Sequence, residues 1–401
     1  LPRGVRTMSV RHPSLLLATA LAVSIATGAC ATAPPPAEGG TLVDPPAPDR
    51  IASTLFLIGD PGGALPDRSP LLRRVTDEVR DERARGTEVR VTYLGDFVYP
   101  VGVRPPDHPD HARDTTILHA QLAPLLDRSG APNGAVGIWV PGNHDWGRKT
   151  GEEGIRRLAG TEAVIDRWAT SGVPAVALPR GGQLAPAAVD PTPWHRLLHF
   201  DTHALLGASA DEMDDVEFAL ERELADAEAR GMKVIVLAHH PLRTGGSHGS
   251  GRSLRSPLDI LARAGVAVQD THSTPYRRII EMSDAAMTEV RAILWAAGHD
   301  HNLQLFDRRA RDSGPVWELI SGSGSRSTEV TGAPDQVIGG SWPSWARLDL
   351  LTGGGTFLTV YGGEGAPTAC PPLSDPEHRA CMERGVASFR IVHRAPLDLP
   401  H

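Results

Sequence analysis

Five short apolar runs, each followed by polar residues, recur along the first three quarters of the chain. Their lengths, and the Gly, Pro and Asp residues beside them, predict buried strands rather than helices. The runs are Thr54–Ile58, Val89–Leu94, Val136–Val140, Val234–Ala238 and Ile293–Ala297.

Amphipathic stretches lie between these runs. Leu72, Val75 and Val79 recur at helical spacing, and Gly86 is a plausible C-terminal stop. A second helix is predicted over Val216–Arg230, with its apolar residues on one face. Strands separated by helices predict an α/β fold in which sheet layers are covered by helices.

The pattern changes after residue 316 to short strands and glycine-rich turns. Ala346–Leu351 and Thr356–Tyr361 flank three consecutive glycines, an arrangement typical of hairpins. Three connections, 100–115, 146–200 and 241–275, are rich in Pro, Gly, His and Arg. Long loops inside a domain are usually functional, so we expect these to surround a site.

Composition and charge narrow the classes of partner. The 401 residues are 40% hydrophobic and 22% charged, which is ordinary for a globular protein. The formal net charge is −8, and no basic stripe is present to neutralise a nucleic-acid backbone. We therefore expect a small substrate and no nucleic-acid partner.

The N-terminal residues predict export. Arg11 precedes an apolar run from Leu15 to Ile25, which is too short to span a bilayer and is typical of a signal peptide covering 1–29. The small residues before Cys30 resemble a bacterial lipoprotein signal, which implies membrane attachment through a lipidated Cys30. An ordinary secretory peptide is the alternative. Either signal predicts a periplasmic or cell-surface protein, and the lipoprotein signal predicts attachment to the outer membrane.

Three further segments follow the signal peptide. Residues 30–50 are rich in proline and predict an extended tether, and residues 51–365 hold the predicted catalytic domain. Residues 366–401 form a C-terminal extension with Cys370 and Cys381. In an oxidising compartment this pair is expected to form a disulfide, and two free thiols are the alternative.

Nearly every predicted strand ends in a residue type that binds metals. The residues are Asp60, Asp96, Asn143, His239, His299 and His301. Each segment alone is weak evidence, since Gly-Asp-Pro-Gly is also a turn and Asn143 is also a plausible helix cap. The carboxyl ends of strands line the ligand crevice in layered α/β folds, so their recurrence predicts a metal site.

These segments resemble the five sequence blocks of the purple acid phosphatase branch of the calcineurin-like metallophosphoesterases, in its short, tartrate-resistant form. The blocks here are Gly59-Asp60-Pro61-Gly62, Gly95-Asp96-Phe97-Val98-Tyr99, Gly142-Asn143-His144-Asp145, Val236-Leu237-Ala238-His239 and Gly298-His299-Asp300-His301. The resemblance covers roughly residues 52 to 362 by block order. It implies a four-layer αββα sandwich of two mixed β-sheets flanked by helices.

At two positions the chain resembles this branch more than the wider superfamily. Gly62 stands where the superfamily usually has a histidine, and Tyr99 is an added residue with a phenol group. A hard phenolate favours a hard trivalent ion, so the resemblance implies Fe(III) with a divalent metal, Fe, Zn or Mn.

The resemblance also assigns roles to the site residues. Asp60, Tyr99 and His301 are expected to hold the iron, Asn143, His239 and His299 the divalent ion, and Asp96 both. His144 and His248 are the candidate catalytic proton donors, and an exposed loop histidine is the alternative for His248. His240 is expected to pack beside the site rather than bind metal, because neighbouring side chains on a strand point to opposite faces.

The expected function is that of an exported acid phosphatase in which a metal-bound hydroxide attacks a phosphate monoester. The same two-metal chemistry also serves diesters, so a phosphodiesterase acting on nucleotides or lipid head groups is the alternative enzyme. A third alternative is a surface protein that uses the fold only for binding, because fold does not fix function.

Overall fold

The computed structural model describes residues 40–63, 65, 67–249 and 268–398. Within them the chain forms two seven-stranded sheets, each containing both parallel and antiparallel pairs. The predicted signal peptide, Cys30 and the tether as far as residue 39 lie outside the described residues.

The first sheet has the strand order β14-β13-β12-β1-β2-β3-β4. Strands β1 to β4 are parallel, and β12, β13 and β14 add antiparallel neighbours beside β1. The strands are β1 Ile51–Ile58, β2 Glu88–Leu94, β3 Val136–Val140, β4 Ala175–Ala177, β12 Ser344–Leu351, β13 Thr356–Gly362 and β14 Arg390–Pro396.

The second sheet has the strand order β11-β9-β10-β8-β7-β6-β5. Strands β6, β7, β8 and β10 are parallel, and β5, β9 and β11 pair antiparallel with their neighbours. The strands are β5 Ala187–Thr192, β6 His195–Phe200, β7 Lys233–Ala238, β8 Leu294–Ala297, β9 Leu303–Asp307, β10 Trp317–Ser321 and β11 Gln336–Gly340.

Helices cover the outer faces of both sheets. Those with described bounds are α1 Pro70–Ala84, α2 His111–Ala120, α3 Gly151–Thr170, α4 Thr202–Leu205, α5 Ala210–Ala229, α6 Thr274–Ala286 and α7 His378–Ala387, with 3₁₀ turns at Pro48–Arg50 and Ala123–Leu125. Helices α1, α2 and α3 pack on the first sheet, and α5 and α6 on the second. Serine caps begin α1 and α5, and Ser209 with Glu212 forms a capping box.

The position of β1 between two cores explains the apolar run Leu55–Ile58 at its end. Successive side chains of a strand point to opposite faces. Leu55 and Leu57 therefore enter the core between the sheets, while Phe56 and Ile58 enter the core beneath the helices. Both faces are buried, as parallel strands require, and the predicted four-layer α/β sandwich is confirmed.

The prediction of a long loop over 146–200 is wrong, because α3, β4, β5 and β6 all lie within it. The apolar stripe of α3 includes Leu158, Ile165 and Trp168, but glycines interrupt its pattern. Strand β6 is buried throughout although it contains polar side chains. Arg196 and His199 find partners in Asp190 and the Ala187 carbonyl, which composition could not show.

The chain termini of the described part both join the first sheet. Cys370 and Cys381 are disulfide-bonded, and β14 pairs with β13, so residues 366–398 are built into the domain. Residues 41–43 run beside β14, with Arg394 N donating to Thr41 O at 2.7 Å, so contacts with the sheet begin before Ile51. Within the described residues, none of the helices has the length and apolar character of a membrane span.

Candidate metal centre

The predicted ligands lie where parallel strands of the two sheets end at a common edge. Strands β1, β2 and β3 lead into Asp60, Asp96 and Asn143, and β7 and β8 lead into the histidines. Hydrogen bonds join the two sheets at this edge. His239 Nδ1 bonds to Leu94 O at 2.8 Å, and His299 N donates to Asp60 Oδ2 at 2.8 Å.

The chain turns sharply at three of these residues. Asp60, Asp96 and His299 have φ angles of 58°, 58° and 68°. Non-glycine residues seldom adopt this left-handed region, and those that do are often functional. The turns follow directly on the strands, so the side chains are held at the sheet edge.

Two glycines allow the strand ends to approach closely. A Cβ atom on Gly95 would lie 2.2 Å from His239 Nδ1, and one on Gly142 would lie 2.5 Å from Asp96 Oδ1. Neither position has room for a methyl group. The glycines that begin the second and third blocks are thus part of the site.

Three of the predicted ligands form a buried cluster. Asp60, Asp96 and His239 each offer a donor atom, and these atoms lie within 4.8 Å of one another. Burial and the neighbouring Asp96 raise the pKa of Asp60 well above its usual value. Burial opposes ionisation of Asp96 as well, but His239 and His144 outweigh it and lower its pKa to about 2. Two buried carboxyl groups this close favour a bound cation.

Tyr99 faces the same cluster. Its hydroxyl donates to Asp60 Oδ1 at 2.9 Å, and its ring lies edge-on to His301 with centroids 5.8 Å apart. Burial and the two carboxylates raise the pKa of Tyr99 well above its usual value. A cation of high charge at this position is what would favour the phenolate.

Burial favours the neutral imidazole form of the predicted histidine ligands. His239 Nε2 lies 2.9 Å from Asn143 Oδ1, while Nδ1 bonds to the Leu94 carbonyl, as in many metal-bound histidines. Burial lowers the pKa values of His239 and His299, and burial with Arg326 lowers that of His301 to about 3. Neutral imidazole is the form that binds metal.

His299 and His301 each have one ring nitrogen taken by a main-chain oxygen. His299 Nε2 bonds to Gln269 O at 2.8 Å, and His301 Nδ1 lies 3.3 Å from Gly322 O. The other ring nitrogen of His299 remains for a metal. That of His301 accepts from Arg326 Nε at 2.9 Å and would exchange this donor for a bound metal. The carboxylates, phenol, amide and imidazoles brought together here fit the predicted pair of metal ions.

His240 lies beside the cluster, and its own nitrogens are engaged. Donor atoms of His239, His240 and His299 come within 4.8 Å of one another. However, His240 Nδ1 bonds to Thr202 Oγ1 at 2.8 Å and Nε2 to Gln269 Oε1 at 3.0 Å. These contacts agree with the expected packing role.

The two candidate proton donors flank the ligands. His144 Nδ1 bonds to Pro100 O at 2.6 Å, and Nε2 lies 3.8 Å from Asp96 Oδ2. The His248 ring lies 4.2 Å from the His299 ring, centroid to centroid, and Nδ1 bonds to Asp270 at 2.7 Å. Burial alone would lower the pKa of His248, but Asp270 and Asp300 outweigh it and raise the pKa.

Asp145 belongs to the third sequence block, but its role could not be inferred from the sequence. Its carboxylate accepts hydrogen bonds from three main-chain N–H groups, those of Asp96, Phe97 and Gly142, at 2.8–2.9 Å. It therefore ties the second block to the third.

Asp300 is a second such residue. Its Oδ1 accepts from Ser247 N and Ser247 Oγ, both at 2.9 Å, and its Oδ2 accepts from Thr244 Oγ1. The side chain thus holds the loop that carries His248. Its place between His299 and His301 was the only signal in the sequence.

A family model matches most of the domain. Residues 53–303, more than half of the chain, match the model described as calcineurin-like phosphoesterase. The match includes all five strand-end blocks. No curated protein sequence matches the chain closely enough to count as a relative.

The chain is similar to several solved structures at low sequence identity. The purple acid phosphatase PPD1 from yellow lupin (Lupinus luteus) seeds is 14% identical with a TM-score of 0.50, and the match covers 79% of this chain and 52% of that one. GAP50, the inner membrane complex anchor of Plasmodium, is 13% identical with a TM-score of 0.49, over 86% of this chain and 96% of that one. A dimetal phosphatase from Danio rerio is 13% identical with a TM-score of 0.41, over 78% and 96%.

Proposed function

We propose that this chain, which belongs to the calcineurin-like phosphoesterase family, is a binuclear-metal acid phosphatase that hydrolyses phosphate monoesters. Membership of the family supports a metal-dependent phosphoesterase. The choice of monoesters and of iron is the finer part of the proposal. One observation carries it: the Tyr99 hydroxyl lies 2.9 Å from Asp60 Oδ1, at the edge of the Asp60, Asp96 and His239 cluster.

The residues divide between two ions as the sequence blocks imply. Asp60, Tyr99 and His301 would hold Fe(III), and Asn143, His239 and His299 a divalent Fe, Zn or Mn, with Asp96 shared. Bound ions of this kind clamp a phosphate, lower the pKa of a water molecule and stabilise charge on the leaving oxygen. The ligand set for Fe(III) contains a phenol, and the set for the divalent ion contains an amide. This difference supports two different metals.

The chain itself supplies proton donors. His144 is oriented by Pro100 O, so its Nε2 is the nitrogen nearer Asp96. His248 is oriented by Asp270, which also favours its protonated form. An imidazolium beside the site would give a proton to the leaving alkoxide, which accounts for an acidic optimum.

The proposal extends to location. The predicted signal peptide and Cys30 support an exported protein, periplasmic or at the cell surface, with Cys30 as the point of lipid attachment. The substrate is a small phosphorylated molecule. Labelling of the expressed protein with a fatty acid, lost in Cys30→Ser, tests the attachment.

Substitution of Tyr99 tests the metal assignment. Purified, metal-loaded protein is expected to show a visible absorption band from tyrosinate bound to Fe(III), together with hydrolysis of an aryl phosphate. Tyr99→Phe should lose the band, because the phenol oxygen is removed while the ring is kept.

Tyr276→Phe is the matched control. Tyr276 is also buried near His299, with ring centroids 6.2 Å apart, but its hydroxyl donates to Pro241 O instead of facing the carboxylates. It should keep the band. A colourless, iron-free enzyme of full activity would reject the iron assignment, and a strong preference for diester substrates would reject the monoesterase.

A further inference from the structure

The loop over residues 322–328 is fixed to two of the ligand blocks. Gly324 N donates to Gly59 O at 3.0 Å, and Ser325 Oγ donates to Asp60 O at 2.6 Å. At the other end, Thr328 N donates to His301 O at 2.6 Å. The residue between these contacts, Arg326, is therefore projected from a main chain that both sheets hold in place.

The side chain of Arg326 lies over the predicted ligands. Its Nε donates to His301 Nε2 at 2.9 Å, and its Cζ lies 4.6 Å from the centre of the Tyr99 ring. Across residues 40–63, 65, 67–249 and 268–398, no other Arg or Lys side chain is hydrogen-bonded to the side chain of a predicted metal ligand. Arg326 is exposed, so the guanidinium also borders solvent.

The unused donors of this guanidinium are available to a ligand. Within the described part of the chain, its Nη1 and Nη2 atoms make no hydrogen bond. A guanidinium presents its donors in a planar fork that matches the oxygens of a phosphate. A phosphate bound at the predicted metals would lie beside this fork.

We propose that Arg326 is a specificity-determining residue that binds a non-bridging phosphate oxygen and favours monoesters over diesters. A monoester has three non-bridging oxygens and carries close to two negative charges above its second pKa of about 6. A diester has two such oxygens and one charge, because the third oxygen carries a carbon substituent. A guanidinium that gives up its contact with His301 Nε2 to the metal and stays over the Tyr99 ring would therefore stabilise the monoester more. This inference rests on the proposed phosphoesterase function.

The experiment compares Arg326→Gln and Arg326→Lys with wild type in the metal-loaded protein at pH 7. Binding of inorganic phosphate is measured by calorimetry, and kcat/KM is measured for an aryl phosphate and its diester analogue. Metal content is determined for each variant. Arg379→Gln is the matched control, since Arg379 is 89% exposed on α7 and pairs with Glu383.

Arg326→Gln is expected to raise the Kd for phosphate, and to lower the monoester-to-diester ratio of kcat/KM, each by about tenfold, the usual effect of one hydrogen bond to a charged group. For Arg326→Lys, the phosphate Kd and the substrate ratio should both lie between those of Arg326→Gln and wild type. Lysine restores the charge but not the planar fork of donors. Arg379→Gln should match wild type.

Two results would overturn the inference. One is an Arg326→Gln protein whose phosphate Kd and substrate ratio stay within about twofold of wild type, and the other is an equal loss on both esters. A wild-type protein that binds phosphate and hydrolyses neither ester would reject the proposed function instead, while the phosphate Kd would still decide the role of Arg326.

Discussion

The strand-end ligand blocks and the 241–249 loop meet at the same site, but different forces hold them. The blocks are residues 59–62, 95–99, 142–145 and 298–301 together with His239, and they are fixed by close main-chain packing, with Gly95 and Gly142 in contact with ligand side chains. The loop is fixed by two buried carboxyl groups. Glu318 Oε1 accepts from Leu242 N and Arg243 N at 2.6 and 2.8 Å, and Asp300 accepts from Thr244 and Ser247.

This difference determines what each region tolerates. A region defined by close packing fails when a single methyl group is added, because the surrounding atoms cannot move without shifting the strands. A region defined by carboxyl acceptors tolerates small changes in volume, but it responds to charge and hydrogen-bond geometry. The ligand blocks should therefore be sensitive to volume, and the loop to pH and to amide substitution.

Gly95→Ala is expected to have the largest effect. The φ angle of Gly95 is 86°, which costs an alanine about 1 kcal/mol, and the added Cβ would lie 2.2 Å from His239 Nδ1. The clash adds about 2 kcal/mol to the loss of stability. Displacement of His239 should reduce metal content, and kcat should fall by about a hundredfold.

Gly86→Ala separates the backbone cost of a positive φ angle from the clash of the added Cβ. Gly86 has a φ angle of 85°, yet a Cβ there would meet nothing within 4 Å. Denaturant unfolding should show only the backbone cost of about 1 kcal/mol, with metal content and activity intact. Equal losses of stability in the two variants would contradict the packing argument.

The same contrast explains what the sequence could and could not predict of the fold. Strand β3 was predicted at its observed bounds, Val136–Val140, and β1 and β7 within a few residues, because a strand buried on both faces is an apolar run. Strand β6 was missed, because His195 and Arg196 break that pattern and have partners in Thr356 and Asp226, 161 and 30 positions away in the chain. Tertiary hydrogen bonds leave no periodic signal.

In the candidate site, too, some features could be predicted from the sequence pattern and others depend on contacts that only the fold creates. The ligand types stood at strand ends and could be recognised, although their binding of metal remains a prediction. His248 was identified only by its spacing from His239, and nothing in the sequence linked it to Asp270 or Asp300. Such links join residues 22 and 52 positions away in the chain, and only the folded chain brings them together.

Glu318→Gln should remove the contribution of this side chain to the pH dependence of stability. Burial raises the pKa of Glu318 from 4.5 to about 7, with Arg308 and the two loop N–H groups opposing it. The folded protein therefore binds this proton more tightly than the unfolded chain, and its stabilising contribution, complete below pH 4.5, is lost as the pH rises to about 7. Glutamine keeps the acceptor oxygen and does not ionise. Relative to wild type, Glu318→Gln should gain about 2 to 3 kcal/mol in unfolding free energy between pH 5 and pH 8.

Urea unfolding at the two pH values measures this gain. Glu383→Gln is the control, because Glu383 is 64% exposed and lies on α7, far from the loop in sequence. It should follow the wild-type pH dependence. A Glu318→Gln difference that does not change with pH would show that the carboxyl is ionised in the fold.

Asp300→Asn is expected to have a smaller effect than Gly95→Ala, a loss of about tenfold in kcat with metal content unchanged. An asparagine keeps one acceptor oxygen for Ser247 but places an N–H₂ group where Oδ2 now accepts from the loop. The loop would shift, and His248 with it, while His299 and His301 keep their own contacts. Loss of metal in proportion to activity would show instead that Asp300 acts through its two neighbours.

A double-mutant cycle decides whether Asp300 acts through His248. Ser247→Ala, which removes only one hydroxyl donor to Asp300, should lose less activity than Asp300→Asn. If Asp300 serves to position the imidazole, Asp300→Asn should have little further effect on kcat in a His248→Ala background, because the group it positions is already gone. Independent, additive losses would mean that Asp300 and His248 act separately. In that case the carboxyl-held loop would not position the proton donor.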